Sequence, residues 1–221
     1  KYEDFNEDIL KNYKTHLRMD DYRYFIGAEL GKSETYNITD INKNDIVVIG
    51  APDTGIPSGK GFADYLEVDY QQFLFKKSKE GRSFILEDNK SRMEQIKNKF
   101  GIDDNIDINN KIVFFVDDSL VRGNTIRTII ELLYSYGPKE IHIRIVSPKV
   151  LFPCIYGIDI PTKKELIMNQ YTEEELSRYY NIKSIKFLKL KEMNNCISKI
   201  YNNGIDKFCT SCFDGEYIGQ S

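Results

Sequence analysis

The chain has 221 residues, 41% hydrophobic and 13% aromatic, enough for one well-filled core, and a single domain over residues 1–221 is expected. A formal net charge of −3 excludes a general binder of nucleic acid or anionic membranes, so any polyanion must be met by a local group of the 31 lysines and arginines. No apolar run reaches membrane-spanning length and the start carries no secretory pattern, so a soluble, cytoplasmic protein with no membrane partner is expected.

Four cysteines are too few for a disulfide scaffold, and their position toward the end points to a metal or to nothing. The chain opens on Lys1, which implies a processed chain or a trimmed fragment with a segment upstream. In chain order, Phe5, Ile9, Leu10, Tyr13 and Leu17 fall at helical spacing and predict a surface helix over 4–17, with His16 as a solvated side chain.

Residues 45–50 read as the first strand. Ala51-Pro-Asp-Thr-Gly-Ile-Pro-Ser-Gly-Lys-Gly61 follows as a loop whose prolines keep its start out of a helix. A helix over 62–66 and a strand over 70–75 come next. The stretch from Lys76 to Ile85 is charged and glycine-broken, and it leads to Arg92 and to Lys97 and Lys99 in a short helical segment. Taken by its composition, it is a solvated surface loop.

Residues 112–116 form an unbroken apolar run rich in β-branched and aromatic side chains, the pattern of a central parallel strand covered on both faces. The run stops at Asp117 and Asp118, at the strand's carboxyl end, where open α/β sheets place ligands. Two adjacent carboxylates there can hold a hydrated cation or a sugar diol. From Ser119 to Thr125 the chain offers two hydroxyls, an amide, an arginine and a glycine before helical spacing resumes over 126–136, so backbone N–H groups converge on a helix N-terminus. Acids for a diol or metal beside a cradle for an anion suit a phosphorylated sugar. The bland alternative is that the acids cap a turn and the glycine closes it. It does not explain why strand, loop and helix recur at both places.

Gly137-Pro138 ends that helix, and a strand is predicted over 140–147, where His142 alternates with isoleucines as a sheet residue facing a helix or solvent. Composition makes 152–161 a loop. Thr172-Glu-Glu-Glu175 is a capping box opening a helix through 179, followed by a strand over 184–188 and a helix over 191–201. The fold class expected is α/β, a central mainly parallel sheet flanked by helices with a C-terminal helical extension. Cys209-Thr-Ser-Cys212 alone fits zinc, a redox pair or unrelated thiols.

Val116-Asp-Asp-Ser-Leu-Val-Arg-Gly-Asn-Thr125 resembles the phosphoribosyl-pyrophosphate (PRPP) loop of type I phosphoribosyltransferases, in the long form found in the amidophosphoribosyltransferase family. The similarity runs in order over about 45–217. It implies the type I phosphoribosyltransferase fold and a substrate site built from Asp53, Thr54 and Gly55 in the pyrophosphate loop with Asp117, Asp118, Ser119, Val121, Arg122, Gly123, Asn124 and Thr125. Thr54 stands for the family's serine and Asn124 for its usual threonine. Mg²⁺ is implied near Thr54, Asp117 and Asp118. Gly81-Arg-Ser-Phe-Ile85 is similar to the family's catalytic lid, which implies catalytic roles for Lys76, Arg82, Arg92 and Lys97, with Lys99 beside them. Lys79-Glu80 stands where the family has a tyrosine.

The reaction the resemblance implies is displacement of pyrophosphate from PRPP by ammonia, giving 5-phosphoribosylamine and opening purine synthesis. The family carries an N-terminal glutaminase domain, of which this sequence has no segment, so the chain alone is expected to use ammonia. A glutaminase domain or subunit and a second copy of the chain are the partners implied. Cys154, Cys209 and Cys212 match three ligands of the family's [4Fe-4S] cluster, and Arg18 stands near the place of the fourth. Cys196 would complete the set only if its helix reached the others, and is otherwise a buried thiol. The cluster, its loss and another metal all stay open. So do a PRPP-sensing regulator or pseudoenzyme of the same fold, and a nucleobase phosphoribosyltransferase, which the 154–161 match and the basic lid disfavour.

Overall fold

The computed structural model describes residues 18–77, 100–160, 162–200 and 208–219. In chain order they form α1 (Met19–Lys32), β1 (Ile46–Gly50), α2 (Gly55–Leu66), β2 (Asp69–Tyr70), β3 (Leu74–Lys76), β4 (Phe100–Ile102) and β5 (Ile112–Asp117). There follow α3 (Asn124–Tyr134), β6 (Glu140–Ile145), α4 (Glu173–Tyr179), β7 (Ser184–Phe187), α5 (Leu190–Ile200) and α6 (Ser211–Asp214). Five strands make one sheet in the order β2-β1-β5-β6-β7, with every adjacent pair parallel. β3 and β4 pair antiparallel as a separate ribbon.

β5 lies at the centre of the sheet, and all five residues from Ile112 to Val116 are buried, which is why no polar alternation marks it. Val113 and Phe115 face one side with Ile143, Ile145 and Ile185, under Ile126, Ile129 and Leu133 of α3 and Leu176 of α4. Phe114 and Val116 face the other side, under Phe25 and Leu30 of α1, Phe62 of α2 and Met193 and Ile197 of α5. The expected α/β architecture is thus present, and α5 and α6 form its C-terminal extension.

The register pairs Gly50 with Val116 and Asp117 with Ile145, so the loops after β1 and β5 leave the same edge of the sheet side by side. α2 is held there by direct backbone contact with α1. A Cβ at Gly27 would lie 2.0 Å from the Ser58 carbonyl oxygen, and one at Gly61 would lie 2.0 Å from that of Tyr24.

The helix expected over 126–136 runs Asn124–Tyr134 and the strand expected over 140–147 ends at Ile145, and two boundaries differ more. The helix predicted over 62–66 starts at Gly55, because Pro57 falls in the first turn, where no intrahelical N–H donor is required. The strand predicted over 70–75 is two pieces: Gln71 N–H donates to Val48 O at the end of the main sheet, and Leu74 then opens the separate ribbon. The helix expected over 4–17, with His16, lies outside the described residues. Among the described residues no helix is long and apolar enough to cross a membrane.

Candidate active site

The two loops enclose a cleft of about 500 Å³ lined by Ala51, Pro52, Thr54, Lys76, Phe100, Asp117, Asp118, the 119–125 loop, and Ile126 and Ile129 of α3. Its floor is the joint between β1 and β5. Ala51 N–H donates to Val116 O at 2.8 Å, and a Cβ on Gly55 would sit 2.8 Å from that same oxygen. Only glycine lets the start of α2 come this close to the end of β5.

Asp117 ends β5, and its side chain accepts the Asp118 N–H at 2.8 Å, while Ser119 Oγ donates to Asp118 Oδ1 at 3.2 Å. Burial pushes the Asp117 carboxyl up to about 7, and the neighbouring Asp118 charge adds to the rise, against the Asp118 N–H and Lys76, which pull it down. A carboxylate pair in that state favours a cation or a hydroxyl donor arriving between its oxygens. Thr54 lines the cleft opposite and makes no side-chain capping bond to its own helix. Two carboxylates and a hydroxyl suit Mg²⁺, which takes one or two protein carboxylates and completes its shell with water and ligand phosphates.

Residues 119–125 curl around the start of α3. Gly123 is its N-cap at φ +79°, a left-handed conformation that disfavours any side chain. The unpaired N–H groups of the first turn make this end of the cleft an anion cradle. Val121 and Asn124 line it with Ser119 and Thr125. The Arg122 side chain points out of the cradle, its guanidinium 3.2 Å from Glu165 and 3.9 Å from Asp159.

On the β1 side, Asp53 has φ +69° and its carboxylate is 2.7 Å from Lys76 Nζ at the mouth. Asp53 thus stands at the rim and Gly55 at the buried joint, while Thr54 faces the cleft. The expected site residues Arg82, Arg92 and Lys97, with Lys99, lie outside the described residues. Phe100, Ile126 and Ile129 were not expected in the lining. Phe100 is brought there by the β3–β4 ribbon, a pairing with no local signal, and the isoleucines read equally well as helix core.

The decisive observation is that residues 30–149, which contain both loops, match the model of the phosphoribosyl transferase domain. The chain belongs to that family. Among curated relatives, the amidophosphoribosyltransferase of Methanocaldococcus jannaschii is 37% identical over 171 residues, covering 77% of this chain and 35% of the relative. The human amidophosphoribosyltransferase is 37% identical over 194 residues, covering 77% of this chain and 37% of that protein. The solved glutamine PRPP amidotransferase of B. subtilis, described in complex with ADP and GMP, superposes with a TM-score of 0.72 at 29% identity, over 90% of this chain and 42% of that one. The chain is therefore an amidophosphoribosyltransferase-related, type I phosphoribosyltransferase domain. It spans about a third of the length of these curated relatives.

The cysteines of this phosphoribosyltransferase domain fall into two environments. Leu151 N–H and Phe152 N–H both donate to Cys212 O, and Tyr217 donates to Pro153 O at 2.6 Å, so the tail carrying Cys209 and Cys212 docks on the segment carrying Cys154. Burial raises the Cys212 thiol, with the charges of Cys209 and Cys154 adding to the rise. Cys196 is instead buried in the apolar core with Met193 and Ile197, its thiol pushed up to about 12, first by burial and then by Glu29, against Lys199. Among the described residues no three His, Cys, Asp or Glu side chains are grouped to hold a metal ion. The four cysteines do not supply the four-thiolate set that an iron–sulfur cluster takes.

A buried charge network lies on the α1 face of the sheet, with no signal in sequence spacing beyond the alternation around His142. Arg144, fully buried in β6, forks onto both carboxylate oxygens of Glu34 and donates to Ile143 O at 2.8 Å and Ser184 Oγ at 3.0 Å. His142 stacks on Phe114 at 4.7 Å, with Nδ1 2.8 Å from Ser184 Oγ and Nε2 3.3 Å from Glu140. It is a sheet residue on the helix side, as its alternation implied, and lies apart from the cleft lining.

Proposed function

We propose that this domain transfers ammonia to the anomeric carbon of PRPP, with release of pyrophosphate and formation of 5-phosphoribosylamine, the opening step of purine synthesis. The observation that carries the reading is the juxtaposition of the Asp117–Asp118 pair with an anion cradle on one side and the Pro52–Gly55 loop on the other, in a family of phosphoribosyl transferases.

In this reading the cradle from Ser119 to Thr125 takes the 5′-phosphate through backbone N–H groups and the Asn124 amide. Asp117 and Asp118 hold the ribose hydroxyls, and the Asp53-Thr54-Gly55 loop meets the pyrophosphate with Lys76 as counter-charge. Bound between Thr54, Asp117 and Asp118, Mg²⁺ would supply charge neutralisation for the pyrophosphate. The chain's own task is orientation and exclusion of water: fixed dipoles face the oxocarbenium-like charge that develops as the C–O bond breaks and the amine nitrogen bonds to carbon. Arg82, Arg92 and Lys97 are proposed as the charges of a closing lid. A glutaminase domain or subunit would supply ammonia, and a homo-oligomer is the assembly proposed. No step runs through an iron–sulfur cluster, since a cluster would need a ligand beyond the described cysteines.

A second reading is a PRPP-binding regulator without turnover. It is favoured by the state of the two basic groups at the two loops: Lys76 is engaged by Asp53 and Arg122 by Glu165. Calorimetry with Mg²⁺ and PRPP tests the site common to both readings. Wild-type chain is expected to bind, and Asp117→Asn with Asp118→Asn to lose binding; unchanged affinity in that double variant would remove the site assignment.

A further inference from the structure

The side of the cradle that faces away from the cleft is gripped by the segment around α4. Tyr180, which follows α4 and is buried, donates its hydroxyl proton to Gly123 O at 3.0 Å. The same oxygen accepts Arg127 N–H at 3.1 Å, so both of its lone pairs are used. Two residues earlier, Val121 O accepts Ile167 N–H at 2.9 Å. The fit around Gly123 is close: a Cβ there would lie 2.2 Å from the Tyr180 oxygen and 2.6 Å from Ile167 Cδ1.

A trans peptide is planar, with its C=O and N–H on opposite sides. Fixing the carbonyls of Val121 and Gly123 toward Ile167 and Tyr180 therefore turns the N–H groups of Arg122 and Asn124 the other way. On that side Arg122 and Asn124 line the cleft. We infer that Tyr180 is a positioning residue: its hydroxyl holds the Gly123–Asn124 peptide so that the N–H groups opening α3 face an incoming phosphate.

This rests on the reading of residues 119–125 as the phosphate subsite. Burial keeps the Tyr180 phenol protonated, pushing it up to about 12 with help from the charges of Tyr179 and Tyr171 and against Arg127, so the donor is present at every working pH. The hydroxyl's bond to Gly123 O also explains a tyrosine at a position whose ring alone could be phenylalanine. Tyr180 lies outside the cleft lining, so its effect is confined to what the cradle holds and leaves the pyrophosphate loop alone.

Tyr180→Phe removes the donor and keeps the ring. Calorimetry on the whole chain with Mg²⁺ would use three probes: PRPP, ribose 5-phosphate and pyrophosphate. A single hydrogen bond of this kind predicts that the variant binds PRPP and ribose 5-phosphate about three- to tenfold more weakly and binds pyrophosphate as wild type does. Tyr134→Phe is the control for a structural effect, because the Tyr134 hydroxyl donates to Asn181 O on the same segment and touches nothing in the cradle; it should leave all three affinities unchanged. If Tyr180→Phe leaves ribose 5-phosphate binding intact, weakens pyrophosphate equally, or is matched by Tyr134→Phe, the positioning role is wrong. If wild type itself binds neither PRPP nor ribose 5-phosphate, the phosphate subsite is wrong, and the inference falls with it.

Discussion

Lys76 Nζ lies 2.7 Å from the Asp53 carboxylate, an ion pair that joins the β3–β4 ribbon to the loop after β1 across the mouth of the cleft. Both side chains are more than half exposed, so the pair adds only about 0–1 kcal/mol to stability. Lys76→Ala should therefore leave thermal unfolding almost unchanged. In the proposed reaction Lys76 would exchange Asp53 for the pyrophosphate, and its contacts would strengthen as the leaving group gains charge. Turnover should fall more than PRPP affinity, about tenfold or more against a few-fold, measured as kcat and as a calorimetric Kd. Equal losses in both would make Lys76 a plain binding residue.

Gly55→Ala places a methyl group 2.8 Å from Val116 O and 2.7 Å from Ala51 Cβ. Nothing soft lies in its path, so α2 must shift away from β5 and the two loops must part. The expected cost is about 1–3 kcal/mol of stability, read by denaturant unfolding, with PRPP binding weakened beyond detection at micromolar protein. Retained affinity would show that the loops work without their shared floor.

The Arg144–Glu34 pair sets a stability prediction independent of ligand. Removing one partner of a buried pair strands the other, and Arg144→Leu should cost about 3–5 kcal/mol. Lys186 also reaches Glu34 at 3.4 Å, which places the expected loss toward the lower end.

The same network fixes the acid limb of stability. Burial, then the Arg144 charge, lowers His142 to about 4 in the folded chain, against Glu140 and Glu34, which pull it up. The unfolded chain takes up that proton near pH 6.5, so the His142 contribution is full above 6.5 and falls as pH drops toward 4. Burial alone would raise Glu34, but its hydrogen bond and charge pairing with Arg144, with Tyr36 N–H and Lys186, outweigh that and hold it at about 2. Its contribution is present above about 4.5 and is lost as pH falls toward 2. Asp117, raised to about 7, works in the opposite sense, adding stability as pH falls from 7 toward 3.8. The network is therefore read in an Asp117→Asn background, where urea midpoints should decline from pH 6.5 to pH 3 and His142→Gln should flatten the part between 6.5 and 4. A midpoint that holds steady down to pH 4 in the Asp117→Asn background would contradict the assignment.

Thiol chemistry should sort the cysteines. Cys209 is exposed, Cys154 and Cys212 are half-buried, and Cys196 is buried with its thiol raised. Under native conditions at pH 8, mass spectrometry after alkylation should find Cys209 modified first and Cys196 modified only on unfolding. Early labelling of Cys196 would mean that α5 does not pack on the core as described.

Much of the α/β fold was legible because its strongest local signals are also its central elements. The apolar run ending at Asp117 is β5, and the capping box at Thr172 opens α4 with both reciprocal bonds formed. Local patterning could not say that Tyr70 and Leu74 belong to different sheets, since both alternate like strand residues and only long-range pairing separates them. It also could not find Arg144 or Tyr180. Each is polar at a position whose neighbours are core, and its partner lies far along the chain, at Glu34 and at Gly123. In the site, the acids and the glycine stood out by residue type, whereas the lining from Phe100 arrives by ribbon pairing.

Turnover of PRPP with ammonia in this cleft is the reaction proposed. The most direct measurement is pyrophosphate release from Mg²⁺ and saturating PRPP with ammonium at alkaline pH, where free ammonia is present, with glutamine in a parallel reaction. Release that depends on ammonium, is absent with glutamine and is lost in Asp117→Asn with Asp118→Asn is the result expected. Tight PRPP binding with no ammonium-dependent pyrophosphate would contradict it and make the domain a sensor.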